Sequence, residues 1–323
     1  MNVMISIVIP CYNSSSNLKK GYQSLLRQNY NEFEVIYVDD CSTDNTLELL
    51  YDIKKTSPIN IKIIKNERNY GPGLSRNYGI KNACGTYIMF LDSDDYLEDI
   101  TLMTIGRILY KDDPDCVIFN FYQDGKKHSS MRSKKKHTTY ISQSDAIMYS
   151  RGSVCGKLYK KSIIDEFNIE FPNLMRNEDM VFNKLCMANC QKIIYLNKNL
   201  YHYEDNLDSL MHNSQLMSES DSIIGFELIE KEYQKRDLIK ELSFLYLFEY
   251  KYSIVKKKYF QGASEKELKD WVMQNNRYIP DKKDIYNFEF PYNLLLLRIY
   301  NGDIKLFILL MKLKNKYKKR REK

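Results

Sequence analysis

Four short apolar runs, each leading into a polar or acidic cluster, limit most strongly how this chain can fold. They are ISIVI (residues 5–9), FEVIYV (33–38), IKII (61–64) and YIMFL (87–91). Runs of this length, rich in β-branched and aromatic residues and bounded by polar ones, read as buried strands. Between them lie apolar residues at helical spacing: Leu18, Tyr22, Leu25 and Leu26; then Leu47, Leu50 and Ile53; then a third helix over residues 73–83. This alternation predicts an α/β fold, a Rossmann-like, mostly parallel sheet with helices on both faces. Sheets of this kind hold ligands at the carboxyl ends of their strands. Three clusters gather at that edge: Tyr12-Asn13, Asp39-Asp40 and Asp92-x-Asp94.

The organising stretch is TYIMFLDSDDYL, residues 86–97. Asp92 and Asp94 are two apart, so on one strand both would point to the same side. Crowded carboxylates call for a counter-charge, and a hard divalent cation, Mn²⁺ or Mg²⁺, supplies one. The plainer reading is an acidic turn after a core strand. The loop NYGPGLSRN (69–77) carries Gly-x-Gly, but Arg76 stands where a third glycine belongs, and the loop follows the third strand. A dinucleotide fingerprint is thereby excluded. Gly71 and Gly73 read as the turn into a helix, with Arg76 one turn inside it, either on the surface or reaching a phosphate. Lys157, in SVCGKLY, is a phosphate contact or an exposed lysine. Glu178 and Asp179 open a helix, where acidic side chains either offset the helix dipole or do chemistry.

The formal charge of +7 resides in the last twelve residues, which hold eight Lys/Arg and one Glu; the rest sums to zero. Basicity confined to a tail argues against a nucleic-acid-binding body. A second basic run, residues 126–137, reads as a solvated hairpin or as a patch for an anionic acceptor. Seven cysteines without a C-x-x-C pair suggest neither a disulfide framework nor a zinc site and fit a reducing cytoplasm. The opening MNVMISIVIPCYN lacks the pattern of a signal peptide. No run reaches the roughly 18 apolar residues of a membrane span.

Strand and helix continue with DCVIFNF (115–121), then short strands at 193–195 and 199–203. From about residue 218 only helices are expected, at 223–235, 241–257, 265–275 and 294–317, so the chain divides into residues 1–215 and 216–323. The apolar stretch 304–313 adjoins the basic tail. Together they could lie on an anionic membrane surface, or the helix could dock on the body with a soluble basic end. The C-terminal helices could also pair two copies into a homodimer.

Taken in order, SIVIPCYN, VDDCSTDNT, NYGPGLSRNYGI, FLDSDD and NEDMVF resemble the family 2 glycosyltransferases over roughly residues 1–215. The likeness is nearest to bacterial enzymes of capsule and other surface glycans. The resemblance implies a GT-A fold and transfer of a sugar from a UDP-sugar, with inversion, to a glycan acceptor on a lipid carrier. Such an enzyme would work in the cytoplasm at the inner face of the cell membrane. It implies that Pro10, Tyr12, Asp39 and Asp40 line the nucleoside pocket, with a carboxylate accepting from uracil N3–H. Arg76 would lie near the uridine or diphosphate. Asp92 and Asp94 would form the metal-binding D-x-D pair, Asp94 the more direct ligand, and Lys157 would match a basic donor-side position. Asp179 would be the general base. Glu204 stands where the family usually has arginine; His202 or His212 would be the substitutes for that diphosphate contact.

Other classes fit less well. Receiver domains and haloacid-type phosphatases place their acidic pair after the first strand, where this chain has Pro10-Cys11-Tyr12. Nucleotidyltransferases carry a Gly-rich, Arg-containing loop there, and residues 11–17 have neither. A nucleotide-sugar-binding module without activity, or a nucleotidyltransferase despite that loop, stays as the alternative.

Overall fold

In a computed structural model, residues 5–133, 138–204, 219–288 and 290–321 are described. They divide into two units: one of residues 1–131 and 136–221, the other of 222–323 together with the short stretch 132–135.

The first unit is built on strands β1 (Ile5–Cys11), β2 (Phe33–Asp39), β3 (Asn60–Lys65), β4 (Tyr87–Phe90), β5 (Tyr96–Leu97), β6 (Cys116–Gln123), β7 (Lys126–His128), β8 (Thr139–Ile141), β9 (Lys157–Lys160) and β10 (Ile193–Tyr203). Their order is β3-β2-β1-β4-β9-β6-β10-β5, with β7 on β6 and β8 on β10. The half formed by β3, β2, β1 and β4 is parallel throughout. Strand β9 runs antiparallel between β4 and β6, whereas β6 and β10 are parallel. The expected α/β sheet is therefore present, with an antiparallel insertion at β9 that the alternation of runs did not signal.

Helices α1 (Leu18–Leu26), α2 (Thr46–Thr56) and α3 (Pro72–Asn82) connect the parallel strands; α4 (Thr101–Asp112), α5 (Gln143–Tyr149), α6 (Lys161–Glu166) and α7 (Glu178–Asn189) follow. Ile7, Val35, Tyr37, Met89, Val117 and Leu158 fill one core at 0–1% exposure. Burying side chains of this size contributes about 1.5–3 kcal/mol each, before the entropy of ordering is subtracted.

Two local expectations change and a third holds in part. Pro10 was expected to stop the first strand, yet it lies within β1, opposite Val38. It has the same parity as Val8, whose carbonyl bonds the Leu91 N–H on the β4 side. Strand β4 ends at Phe90, so the missing proline N–H removes no ladder bond there. The runs at 193–195 and 199–203 are one strand, β10, bent by register shifts between Leu196 and Tyr201. Of the basic run, residues 126–128 form a hairpin strand on β6 as read, while residues 134–137 lie outside the described residues.

The second unit is helical: α8 (Glu219–Lys235), α9 (Ile239–Leu245), a π-helical turn (Tyr246–Tyr252), α10 (Ser253–Phe260), α11 (Glu265–Gln274), α12 (Lys282–Tyr286), α13 (Tyr292–Tyr300) and α14 (Ile304–Arg321). The helix expected over 294–317 is two helices. They part at Asn301-Gly302-Asp303, where Gly302 takes φ +70°, a left-handed value that suits glycine. On α14, Ile304, Phe307 and Met311 are buried, whereas Leu309 and Leu313 are about half exposed. Among the described residues no helix is long and apolar enough to cross a membrane.

Candidate active site

The loops after β1 and β2 are stitched together at the carboxyl edge of the sheet. The Asn13 N–H donates to Ser42 Oγ (3.0 Å), and Asn13 Oδ1 accepts from the Thr43 N–H (2.8 Å). Asn13 and Cys41 both adopt positive φ, 47° and 61°, a strained choice for residues other than glycine. Asp44 caps the start of α2: it accepts from Thr46 N–H and Oγ1 and from Ser15 N–H, and is held down to about 2 although burial opposes this. One hydroxyl pair, Ser14 Oγ and Ser93 Oγ at 2.8 Å, ties the first loop to the acidic turn after β4.

The two acidic residues closing β2 do different work. Asp39 is fully buried; one oxygen faces the Ser42 N–H at 3.4 Å and the other, Oδ1, has no partner. Asp40 is buried too, and its oxygens accept from Asn66 Nδ2 (2.7 Å), Tyr70 N–H (2.9 Å) and Gly71 N–H (2.7 Å). It thus fastens the loop that leads into α3. Gly71 at φ +85° makes the turn. Gly73 is needed for a different reason: a Cβ there would sit 2.8 Å from Glu178 Cγ, so only glycine lets α3 approach the start of α7 this closely. Tyr12, 48% exposed, is the open aromatic surface of this rim, and Pro10 lies behind it in β1.

Arg76 is the hub. Its side chain is only 5% exposed, and it lies 5.5 Å from the centre of the Phe171 ring, which stacks on Phe182. Nη2 donates to Asp92 Oδ1 (2.7 Å) and Nη1 to Asp179 Oδ1 (2.8 Å), with Glu178 Oε1 3.6 Å away. Burial alone would weaken its charge, but Asp179 and Asp92 more than offset this, so the guanidinium stays protonated. The arginine therefore lies between the two carboxylate clusters, which the sequence reading had left separate.

Asp179 stands in the first turn of α7 after Asn177, which takes φ +68°. Its side chain is 24% exposed. Burial raises its pKa, Arg76 lowers it and Asp92 raises it again, leaving a carboxylate more basic than usual. Oδ1 belongs to Arg76, whereas Oδ2 has only a 3.4 Å contact from the Val154 N–H. Glu178 is pushed up to about 7 by burial and by Asp179, against Arg76.

The acidic turn corrects one expectation. Strand β4 ends at Phe90, and the Asp95 N–H bonds the Asp92 carbonyl, so Asp92 and Asp94 occupy a turn and the alternation of a strand does not apply. The turn brings Asp92 to Asp95 instead. Oxygen atoms of these two and the Cys155 sulfur lie within 4.8 Å of one another. Asp95 is buried, accepts from the Tyr201 hydroxyl and from the Glu204 N–H (2.9 Å), and is raised by burial and by Asp92 and Asp94. Cys155, kept protonated by burial and by Asp92 and Asp95, donates to Asp92 Oδ2 at 3.3 Å. A protonated thiol and a fully bonded Asp95 are poor ligands. Carboxylate oxygens, which Asp92 and Asp94 carry, are the hard donors that suit Mg²⁺ or Mn²⁺, and the raised Asp95 marks a surplus of negative charge that a cation relieves. The residues present thus fit a divalent ion.

Two expected donor contacts are placed elsewhere. Lys157 has no exposed surface, and its ammonium donates to the carbonyls of Arg151 (2.9 Å) and Ser153, with burial lowering it to about 8. It holds the 151–155 loop in place and presents nothing to a phosphate, because β9 carries it into the core. His202 is stacked between Tyr96 (4.2 Å) and Tyr122 (4.6 Å) and bonded to Glu98 (2.8 Å), which leaves it committed to the sheet. Glu204 pairs with Lys20 at 2.8 Å. His212 lies outside the described residues.

Five sequence-distant elements thus deliver acids, one arginine and a stitched loop pair to one edge of a GT-A sheet, the architecture of nucleotide-sugar transferases. The family model for Glycosyl transferase family 2 matches residues 6–167, about half of the chain, and the chain belongs to that family. It is 29% identical over 240 residues to the poly(ribitol-phosphate) beta-N-acetylglucosaminyltransferase TarS of Staphylococcus aureus, covering 72% of this chain and 41% of that protein. It is 28% identical over 315 residues to the poly(ribitol-phosphate) beta-glucosyltransferase of Bacillus spizizenii, covering 93% of this chain and 49% of the relative. The chain thus spans about two fifths to one half of these relatives. A crystal structure of S. aureus TarS in complex with UDP-GlcNAc superposes with a TM-score of 0.72 at 23% identity, over 97% of this chain and 92% of that one.

Proposed function

We propose that the protein is a metal-assisted, inverting glycosyltransferase that moves a sugar from a UDP-sugar to a hydroxyl of a phosphodiester-linked polyol or related surface glycan. The observation that carries this reading is the Arg76 bridge, 2.7 Å to Asp92 on the donor side and 2.8 Å to Asp179 on the acceptor side. The relatives' names supply the acceptor class, and the crystal complex of TarS with UDP-GlcNAc supplies the donor class.

The chemistry follows from the residues. Asp179 Oδ2, open and more basic than an ordinary aspartate, takes the proton of the acceptor hydroxyl as its oxygen bonds to the anomeric carbon. On the opposite face the bond from that carbon to the diphosphate oxygen breaks, and UDP leaves with the electron pair. A single displacement of this kind inverts the centre without a covalent nucleophile. Arg76 fixes the base and Asp92 in one frame, so the reacting groups are held in line. Asp92 and Asp94 would hold a divalent ion, which when bound neutralises charge on the departing diphosphate. The stitched rim of Tyr12, Asn13 and Thr43, with Pro10, Asp39 and Asp40 behind it, would receive the nucleoside. Lys157 acts as a positioning residue for the loop that holds Cys155 and Val154. Attachment of the acceptor to a lipid carrier, contact of α14 and the basic tail with an anionic membrane, and pairing of two chains belong to the same proposal.

The test is a donor panel. The protein is incubated with Mn²⁺ and UDP-, GDP- and dTDP-sugars, and free nucleotide is followed with and without EDTA. Release from one UDP-sugar that EDTA suppresses is the expected result. Release from a GDP- or dTDP-sugar, or release indifferent to EDTA, overturns the donor or the metal part respectively.

A further inference from the structure

The helical unit contains a cavity of about 480 Å³ that the catalytic reading does not use. All its lining residues lie between 223 and 277. Phe226, Tyr246 and Tyr250 form an aromatic wall, with Tyr246 and Tyr250 stacked at 5.1 Å and 19° and Phe226 within 5.5 Å of both. Gln274, Asn275 and Asn276 add amides to the lining. Aromatic faces joined by amide donors and acceptors suit a ligand with both C–H surface and many hydroxyls.

The wall is built. Arg277 Nη2 is fixed by Glu230 Oε1 (3.0 Å), a carboxylate that also accepts from the Tyr278 hydroxyl (2.5 Å). The Tyr246 hydroxyl accepts from the Arg277 N–H. The tyrosines come from the π-helical turn, and wide turns of this sort occur often at functional sites.

Beside the amides lies a charge without a counter-charge. Lys251 is 3% exposed, and its ammonium reaches one weak partner, Asn276 Oδ1 at 3.4 Å, on the cavity wall. No described carboxylate pairs with it. Burial lowers it to about 8, which an anion beside it would reverse. Arg277 is already neutralised by Glu230, and Glu227 lines the cavity on another side. The uncompensated positive charge is therefore Lys251, which stands behind the cavity lining and reaches it at Asn276.

The geometry points to a second glycan site in the helical unit: the cavity binds one phosphorylated polyol or sugar unit, its carbon skeleton on Tyr246 and Tyr250 and its phosphate toward Lys251 and Asn276. The choice of a phosphorylated polyol rests on the acceptor class proposed above. Such a site would hold the acceptor chain by a unit other than the one that reacts, so that the enzyme stays on a polymer between transfers.

Trp271, the sole tryptophan, lies 6.0 Å from Tyr250 of the cavity wall and can report on it. The full chain is titrated with a ribitol-phosphate oligomer while Trp271 emission is followed; UDP-sugar hydrolysis is measured separately. A saturable change is expected, weakened about tenfold or more in Lys251→Met and in Tyr250→Ala, retained in Lys251→Arg, and weaker for neutral ribitol than for the phosphate. Hydrolysis of the donor should be unchanged in all three variants. A silent Trp271, or equal titrations in the unmodified chain and in a folded Tyr250→Ala variant, overturns the site. Should donor hydrolysis be absent while the Trp271 response behaves as expected, the donor reading fails and the cavity stands.

Discussion

Two buried cations, Arg76 in the sheet unit and Lys251 in the helical unit, are held in opposite ways. In the sheet unit Arg76 is surrounded: two carboxylates bond it and a third stands 3.6 Å off. In the helical unit Lys251 is as deeply buried and has one amide oxygen at 3.4 Å. Both burials cost desolvation, but only the first is compensated within the chain. A charge held between carboxylates organises its neighbours, whereas one left without a carboxylate is poised for something that arrives. Under the two proposals above, the difference separates a preorganised reaction centre from a receptor.

Neutralising each cation tests that contrast most severely. Arg76→Met leaves Asp92, Asp179 and Glu178 facing one another, so it should cost about 3–5 kcal/mol of stability and abolish transfer. Lys251→Met should leave the unfolding midpoint unchanged or raise it, since it removes an uncompensated buried charge. Thermal denaturation of the pair, with a transfer assay, decides; equal destabilisation would erase the distinction. Next in size, Asp179→Asn should lower transfer by about 10²–10⁴-fold while UDP binding by calorimetry stays within a few-fold. Loss of both together would assign Asp179 to the donor pocket.

Smaller is Gly73→Ala. Its methyl group would meet Glu178 Cγ at 2.8 Å and push α7 away from Arg76, with an expected loss of about 1–3 kcal/mol and a reduced rate at unchanged donor affinity. Smallest is a pH effect. The Glu178 carboxyl is near 7 in the folded chain, above its unfolded value, so the folded state holds the extra proton between about 4.5 and 7. That contribution is complete below the unfolded value and is lost as pH rises through 7, amounting to at most about 3 kcal/mol by pH 8. Glu178→Gln should flatten this slope in unfolding midpoints measured from pH 5 to 8. An unchanged slope would place the titration elsewhere.

Much of the sheet was legible because its strands are short apolar runs separated by helical periodicity. Strand β9 was not, since KLYK carries no alternation and its lysine is buried by tertiary context. The acids of the site were visible as clusters, but their partners were not. Arg76 and Asp179 are 103 positions apart, and Tyr201 and Asp95 are 106 apart, so only the fold introduces them. Reading Asp92 and Asp94 by strand parity failed because the strand stops two residues earlier, and the turn then favours Asp95. Cys155 has no signature at all: one thiol in a loop becomes informative only when an aspartate oxygen lies 3.3 Å away. In the helical unit Tyr246 and Tyr250 stand four apart within the helix expected at 241–257, so their pairing follows from helical spacing, whereas the approach of Asn276 to Lys251 comes only from the fold.

The reciprocal bonds between the Asn13 loop and the Ser42–Thr43 loop also matter for how such a protein can change. Each loop is the other's template: one donates where the other accepts, and two residues hold unfavourable backbone angles to make the fit. Exchanging one loop for that of a relative would leave its counterpart without a mate. Altering the nucleoside preference that the proposed function assigns to this rim therefore calls for transplanting the two loops as a set.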